Sequence, residues 1–201
     1  QAAYIAAADL HPEAEAQIRE ELRAAGVTLG LADRPPRSLI VFDAHPGNYL
    51  MTTDENGDRR AILVDLEKAR YGLAGLDLAH ASLYTSTTWD LDSQAVLDDA
   101  QLGLFHQAWL DAVPAALAAA TRAWLQPLRR IMWLWSVTWC AKWRVESQGA
   151  GNIRGANNTS TENWTSVLSN DALVAHVAGR VADYLAPETI ARVRADWYLS
   201  R

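Results

Sequence analysis

The pair Asn56–Gly57 lies inside the polar stretch DENGD (54–58), between the apolar runs NYLMTT (48–53) and RRAILVDL (59–66). Asn-Gly between two strand-like runs is a strong signal for an antiparallel β-hairpin. A hairpin folds the chain back on itself, so the start of its first strand and the end of its second can lie close together. Here the first strand is preceded by VFDAHPG and the second ends at Asp65. Three polar side chains, Asp43, Asn48 and Asp65, are therefore candidates to meet.

The flanking segments fall on either side of this element. Residues 12–25, PEAEAQIREELRAA, read as an amphipathic helix, with Pro12 in its first turn, early acids, and Gly26 as its stop. VTLGLADRPPR (27–37) reads as a loop, because Pro35 and Pro36 forbid helix. SLIVF (38–42) is short and apolar, a buried strand. After about residue 76 the pattern is helical: 76–87, 92–113, 114–147, 162–185 and 187–200, with Pro127 kinking or splitting the third and a glycine-rich polar loop before the fourth. The expected fold class is α+β, mainly helical, with a small central β-hairpin.

Composition narrows the function classes. With 201 residues, half of them hydrophobic, the chain makes one domain or one large lobe. A net charge of −6 and the lack of a basic run argue against nucleic acid as a partner. The single Cys140 rules out an internal disulfide and suits a reducing cytosol, so a cytoplasmic location is expected. No apolar run is long enough to span a bilayer, and the N-terminal stretch lacks a signal-peptide pattern, so no membrane partner is expected. Asn157, Asn158 and Asn163 each stand in N-x-S/T, which we read as chance. The chain starts with Gln, which reads as a processed or excised piece.

The central residues suggest a chemistry. An aspartate placed to accept a hydroxyl proton, with an amide and a second carboxylate offering hard oxygens, is a set suited to Mg²⁺-assisted phosphoryl transfer. A rival set uses Asp43, His45 and Asp65 as ligands of a metal-dependent hydrolase, although no further His lies nearby in sequence.

Residues 38–80 resemble the catalytic core of the aminoglycoside phosphotransferase and choline kinase-like family, whose fold is protein-kinase-like. The family stretch HGDLHPGN is VFDAHPGN here. Its second stretch, an apolar strand followed by Asp-x-Glu, a glycine and D-L-A, is ILVDLEKARYGLAGLDLAHA here. The resemblance implies the C-terminal lobe of such a phosphotransferase, with the catalytic loop and metal-binding hairpin at 38–72 and a helical acceptor-binding region at 76–201. It implies ATP or GTP and Mg²⁺ as cofactors and a small-molecule hydroxyl acceptor as partner. Asp43 would be the catalytic base, Asn48 and Asp65 would bind the metal that bridges the nucleotide phosphates, and His45 and Gly47 would shape the loop. Glu67 would assist the metal or substrate, or pair with Lys68 in solvent. Asp77 would be structural, as an N-cap or an anchor for the catalytic loop.

The chain also departs from the family. The family's loop-bracing His is Val41, and the following Gly is Phe42. The two lysines, Lys68 and Lys142, both follow Asp43, and no glycine-rich phosphate motif occurs. The family's N-terminal, nucleotide-clamping lobe is thus expected to be cleaved, separate or lost, and a non-catalytic, pseudokinase-type binding module is the alternative function.

The tryptophans are the remaining signal, nine in all and mostly in the second half. Trp135, Trp139 and Trp143 repeat every four residues, which favours core packing. The alternative is an acceptor wall in which Trp139 and Trp143 face a cationic substrate with help from Asp90, Asp92 or Glu146. TSTTWD (85–90), with Trp89 and Asp90, is a second acceptor candidate. Cys140 reads as a buried small hydrophobe, and His80 and His106 as core or partly buried.

Overall fold

The computed structural model describes residues 2–90, 94–149 and 170–199. In chain order the elements are α1 (Ala2–Ala7), α2 (Pro12–Leu29), β1 (Arg37–Ile40), a 3-10 turn (Pro46–Asn48), β2 (Tyr49–Thr53), β3 (Arg59–Leu63), β4 (Arg70–Leu73), α3 (Gly75–Ser82), α4 (Tyr84–Thr87), α5 (Asp99–Ala112), α6 (Ala115–Arg122), α7 (Leu125–Gly149), α8 (Asn170–Tyr184) and α9 (Pro187–Leu199). This is a mainly helical α+β architecture with two small antiparallel sheets. The chain divides into two compact units, Gln1–Leu22 with Trp135–Arg194, and Arg23–Leu134 with Ala195–Arg201.

The second unit contains both sheets. β2 and β3 form the hairpin, with Tyr49 opposite Leu63 and Thr53 opposite Arg59. Asp54 organises its loop: its carboxylate accepts from the amides of Asn56 and Asp58 at 2.9 and 3.0 Å. Gly57 takes the left-handed conformation, φ 86°, that glycine adopts without strain. The other sheet pairs β1 with β4, Arg37 opposite Leu73 and Ile40 opposite Arg70, a partner for β1 that local pattern did not supply. β1 is not the buried strand expected over 38–42. Ile40 is its single buried residue, Leu39 is exposed, and Val41 and Phe42 already belong to the loop.

Helix limits differ from expectation for identifiable reasons. α2 runs through Gly26 to Leu29, since a glycine with open space around it weakens a helix without ending it. α5 starts at Asp99 because Asp98 and Gln101 form a reciprocal capping box. The break expected at Pro127 falls at Ala123–Trp124 instead, and Pro127 occupies the first turn of α7, where its missing N–H costs nothing. The buried residues of this unit include Leu83, Leu128 and Met132, and Trp133, which meets Trp197 edge-on with centroids 5.1 Å apart.

In the first unit Ile5, Ile18, Val137, Ala141, Val181, Tyr184 and Ile190 are buried. Glu21 is buried with them and is neutralised by Arg194, 3.1 Å away, which also reaches Glu20 at 2.7 Å. On α7 the buried stripe runs through Trp133, Val137, Cys140 and Ala141, whereas Trp135, Trp139 and Trp143 are half-buried beside it. The three tryptophans are thus not the core-packing face. Cys140 is, and burial pushes its thiol pKa up to about 12, so it acts as a small apolar side chain. The three N-x-S/T sites and the glycine-rich loop lie outside the described residues. Among the described residues no helix is long and apolar enough to cross a membrane.

Candidate active site

Past Ile40 the chain bends sharply, with Phe42 at φ 64°. A left-handed conformation costs a non-glycine residue roughly 1–2 kcal/mol, so the bend needs external support. Asp77, in the first turn of α3, provides it: its two carboxylate oxygens accept from the amides of Val41 and Phe42, each at 2.8 Å. The helix N-cap position is Ala74, so Asp77 acts as a loop anchor and not as an N-cap. Burial raises the Asp77 pKa, the two amides pull it back, and the nearby Asp43 charge raises it further. The Arg70 guanidinium also lies over the Phe42 ring, 4.2 Å from its centroid, a cation–π contact. Val41 and Phe42, two of the three positions that depart from the family stretch, are therefore the two whose amides Asp77 holds.

Beyond the bend, Asp43 is 8% exposed and is held from two sides, with His80 close by. Its Oδ2 accepts from Lys68 Nζ at 2.8 Å, its Oδ1 lies 3.9 Å from His80 Nδ1, and its backbone carbonyl accepts from Asn48 Nδ2 at 2.8 Å. His45 caps the following 3-10 turn, with Nδ1 accepting from the Gly47 amide at 3.2 Å. A side chain at position 47 would collide with the Asp90 carboxylate and the His45 ring, so glycine is what lets Asp90 approach the loop.

The hairpin sets the other half. The Val64 amide donates to the Asn48 carbonyl at 2.9 Å, which puts Asp65 one residue from a backbone bond to Asn48. Asp65 has φ 56° and is exposed, and its carboxylate makes no hydrogen bond or ion pair among the described residues. Glu67 is likewise exposed and unpaired, because the neighbouring Lys68 has turned to Asp43. The exposed Asp65 carboxylate and the Asn48 amide oxygen, whose nitrogen is already engaged by the Asp43 carbonyl, are both hard oxygen donors. Such a pair fits Mg²⁺, which completes its shell with water and phosphate oxygens. The ligand set of a hydrolase is not assembled: among the described residues no group of three or more His, Cys, Asp or Glu is placed to hold a metal ion.

His80 lies at the back of this arrangement. Desolvation pushes its pKa down to about 4; the Asp43 charge pulls it up, and His45 and Lys68 push it further down. The ring is therefore neutral at neutral pH, and it meets the His45 ring with centroids 6.2 Å apart. Arg129 of α7, buried and with its pKa lowered to about 10 by desolvation, donates to the Ser82 hydroxyl and carbonyl at 2.7 and 3.1 Å. It thereby fixes the C-terminal end of α3, the helix that carries Asp77 and His80.

A model of the phosphotransferase enzyme family matches residues 1–119, more than half of the chain. The chain belongs to the phosphotransferase enzyme family. No curated protein and no solved structure gave a match. The matched residues include the loop, the hairpin and α3.

Of the acceptor candidates, Trp89 and Asp90 are half-buried, with Asp90 against Gly47. Trp139 and Trp143 belong to the other compact unit, as does Glu146, which accepts from the Tyr4 hydroxyl at 3.1 Å. Asp92 lies outside the described residues. Sequence reasoning missed Lys68 as a neighbour of Asp43 and did not single out Arg129; it read His80 as buried, which it is, but not as a neighbour of Asp43. For Lys68 the one available signal was its place three residues after Asp65.

Proposed function

We propose that this chain is the catalytic lobe of a small-molecule kinase, transferring the terminal phosphoryl group of ATP or GTP to a hydroxyl of a small molecule. In this reading it is the C-terminal lobe of a protein-kinase-like fold, paired with a nucleotide-clamping lobe outside these residues. The observation that supports the reading is a buried Asp43 whose carbonyl accepts from the Asn48 amide, with an exposed Asp65 one residue after the Val64 amide that donates to the Asn48 carbonyl.

Each residue then has a defined task. Asp43 orients the acceptor hydroxyl and takes its proton as the acceptor oxygen bonds to phosphorus and the bond from phosphorus to the nucleotide's bridging oxygen breaks. Asn48 and Asp65 would hold Mg²⁺, which supplies charge neutralisation for the phosphate oxygens. Asp77 keeps the loop from drifting, and His45 fixes the turn that carries Asn48. Asp90 and Trp89 border the acceptor side, where a carboxylate and an aromatic face suit a hydroxyl compound bearing positive charge.

The test is transfer of labelled phosphoryl from ATP to a panel of amino alcohols, sugars and nucleosides. Turnover with the native chain should fall at least roughly 10³-fold in Asp43→Asn, with the circular dichroism spectrum unchanged. Undiminished turnover in Asp43→Asn would remove the assignment.

A further inference from the structure

We propose that Lys68 is a phosphate-binding cation of this site, reaching the transferring phosphoryl oxygens while it holds Asp43; this rests on the kinase reading above. Lys68 follows Asp65 by three residues in the turn between β3 and β4, and its Nζ lies 2.8 Å from Asp43 Oδ2. Both side chains are largely buried, 14% and 11% exposed. Burying an ion pair costs desolvation that its mutual attraction barely offsets, and an apolar pair of similar volume would serve the fold equally well. The pair is better explained by what the ammonium does when an anion arrives.

Three features point to phosphate as that anion. An ammonium offers three donors on a flexible stem, so it can keep Asp43 and also accept a phosphate oxygen as partner. Lys68 shares a turn with Asp65, so cation and metal ligand address the same group from one segment of chain. Lys68 engages Oδ2, which leaves Oδ1 as the oxygen to meet the acceptor hydroxyl. A positive charge fixed beside the attacking and transferring groups is the electrostatic element that phosphoryl transfer requires.

The chain's two lysines make a direct test available. With 13C-labelled lysine, the ε-methylene signals of Lys68 and Lys142 are assigned by Lys68→Arg and Lys142→Arg, and the native chain is titrated with MgATP and MgADP. The Asn48 side-chain amide reports nucleotide binding independently. The expected result is a Lys68 shift larger with MgATP than with MgADP, with Lys142 still. If the Asn48 amide moves and Lys68 does not, the role of Lys68 is overturned and the kinase reading stands. Equal Lys68 shifts with both nucleotides would overturn the assignment to the terminal phosphoryl. If neither reporter moves at millimolar MgATP with the nucleotide-clamping lobe present, the kinase reading itself fails and takes this inference with it. In turnover, Lys68→Met should lower kcat roughly 10²–10³-fold, with Lys68→Arg recovering part of it.

Discussion

Asp43 and Asp65 stand at opposite extremes of one site. Asp43 is buried, its side chain is engaged by Lys68 and its carbonyl by Asn48, and its loop is pinned by Asp77. Asp65 is exposed and its side chain has no partner among the described residues. The difference matches the tasks proposed for them. A group that orients a hydroxyl benefits from a fixed position, because misplacement is costly in rate. A group that binds a hydrated ion needs open lone pairs, and any protein partner would compete with the metal.

This contrast predicts unequal costs of removal. Asp43→Ala leaves Lys68 largely buried without its carboxylate and should lower stability by about 3 kcal/mol. Asp65→Ala should stay within about 0.5 kcal/mol of the native chain. Urea unfolding of the two variants checks this, and equal losses would erase the distinction between a braced and an open acid.

The braced side should also respond to acid. The His80 pKa is lowered to about 4, so between its ordinary value near 6.5 and 4 the unfolded chain binds a proton that the folded chain refuses. The stabilisation is fully present above about pH 6.5 and is lost as pH falls towards 4, by about 3 kcal/mol in total. His106, also lowered to about 4 by desolvation, titrates over the same window but is only half-buried. His80→Gln should therefore flatten the stability profile between pH 4 and 6.5 more than His106→Gln does. Thermal unfolding across that range decides, and an unchanged slope in His80→Gln would show that the ring is not held neutral.

The smallest effect concerns the bend itself. Phe42→Gly relieves roughly 1–2 kcal/mol of left-handed strain. It also forfeits about 0.5–1 kcal/mol of cation–π attraction and costs about 0.5–1 kcal/mol in added unfolded-state freedom. These nearly cancel, so the net change should lie within about 1 kcal/mol. Arg70 also donates to the Lys68 carbonyl at 2.9 Å, so Arg70→Ala should destabilise the native chain more than the Phe42→Gly background, and the difference in a double-mutant cycle isolates the Phe42–Arg70 contact.

The return of the chain that bonds the Val64 amide to the Asn48 carbonyl was legible because it depends on a turn written into five consecutive residues. The D-x-x-x-x-N spacing and the helical periodicity after residue 76 are likewise local. Helix limits were read less well, since Gly26 and Pro127 act through their surroundings as much as through their own propensities.

What the sequence by itself determined is the hairpin, the residue types at its two ends and the largely helical remainder, because turn chemistry and periodicity act over a few residues. What only the tertiary structure decided is how Asp43 is surrounded. Lys68 reaches it from 25 residues away, Asp77 holds its loop from 35 and 36 residues away, and Arg129 fixes Ser82 across 47. None of these partners is implied by local pattern. Each exists because packing brings α3 and β4 to the loop and α7 to the end of α3, and burial then obliges the charges there to find counterparts.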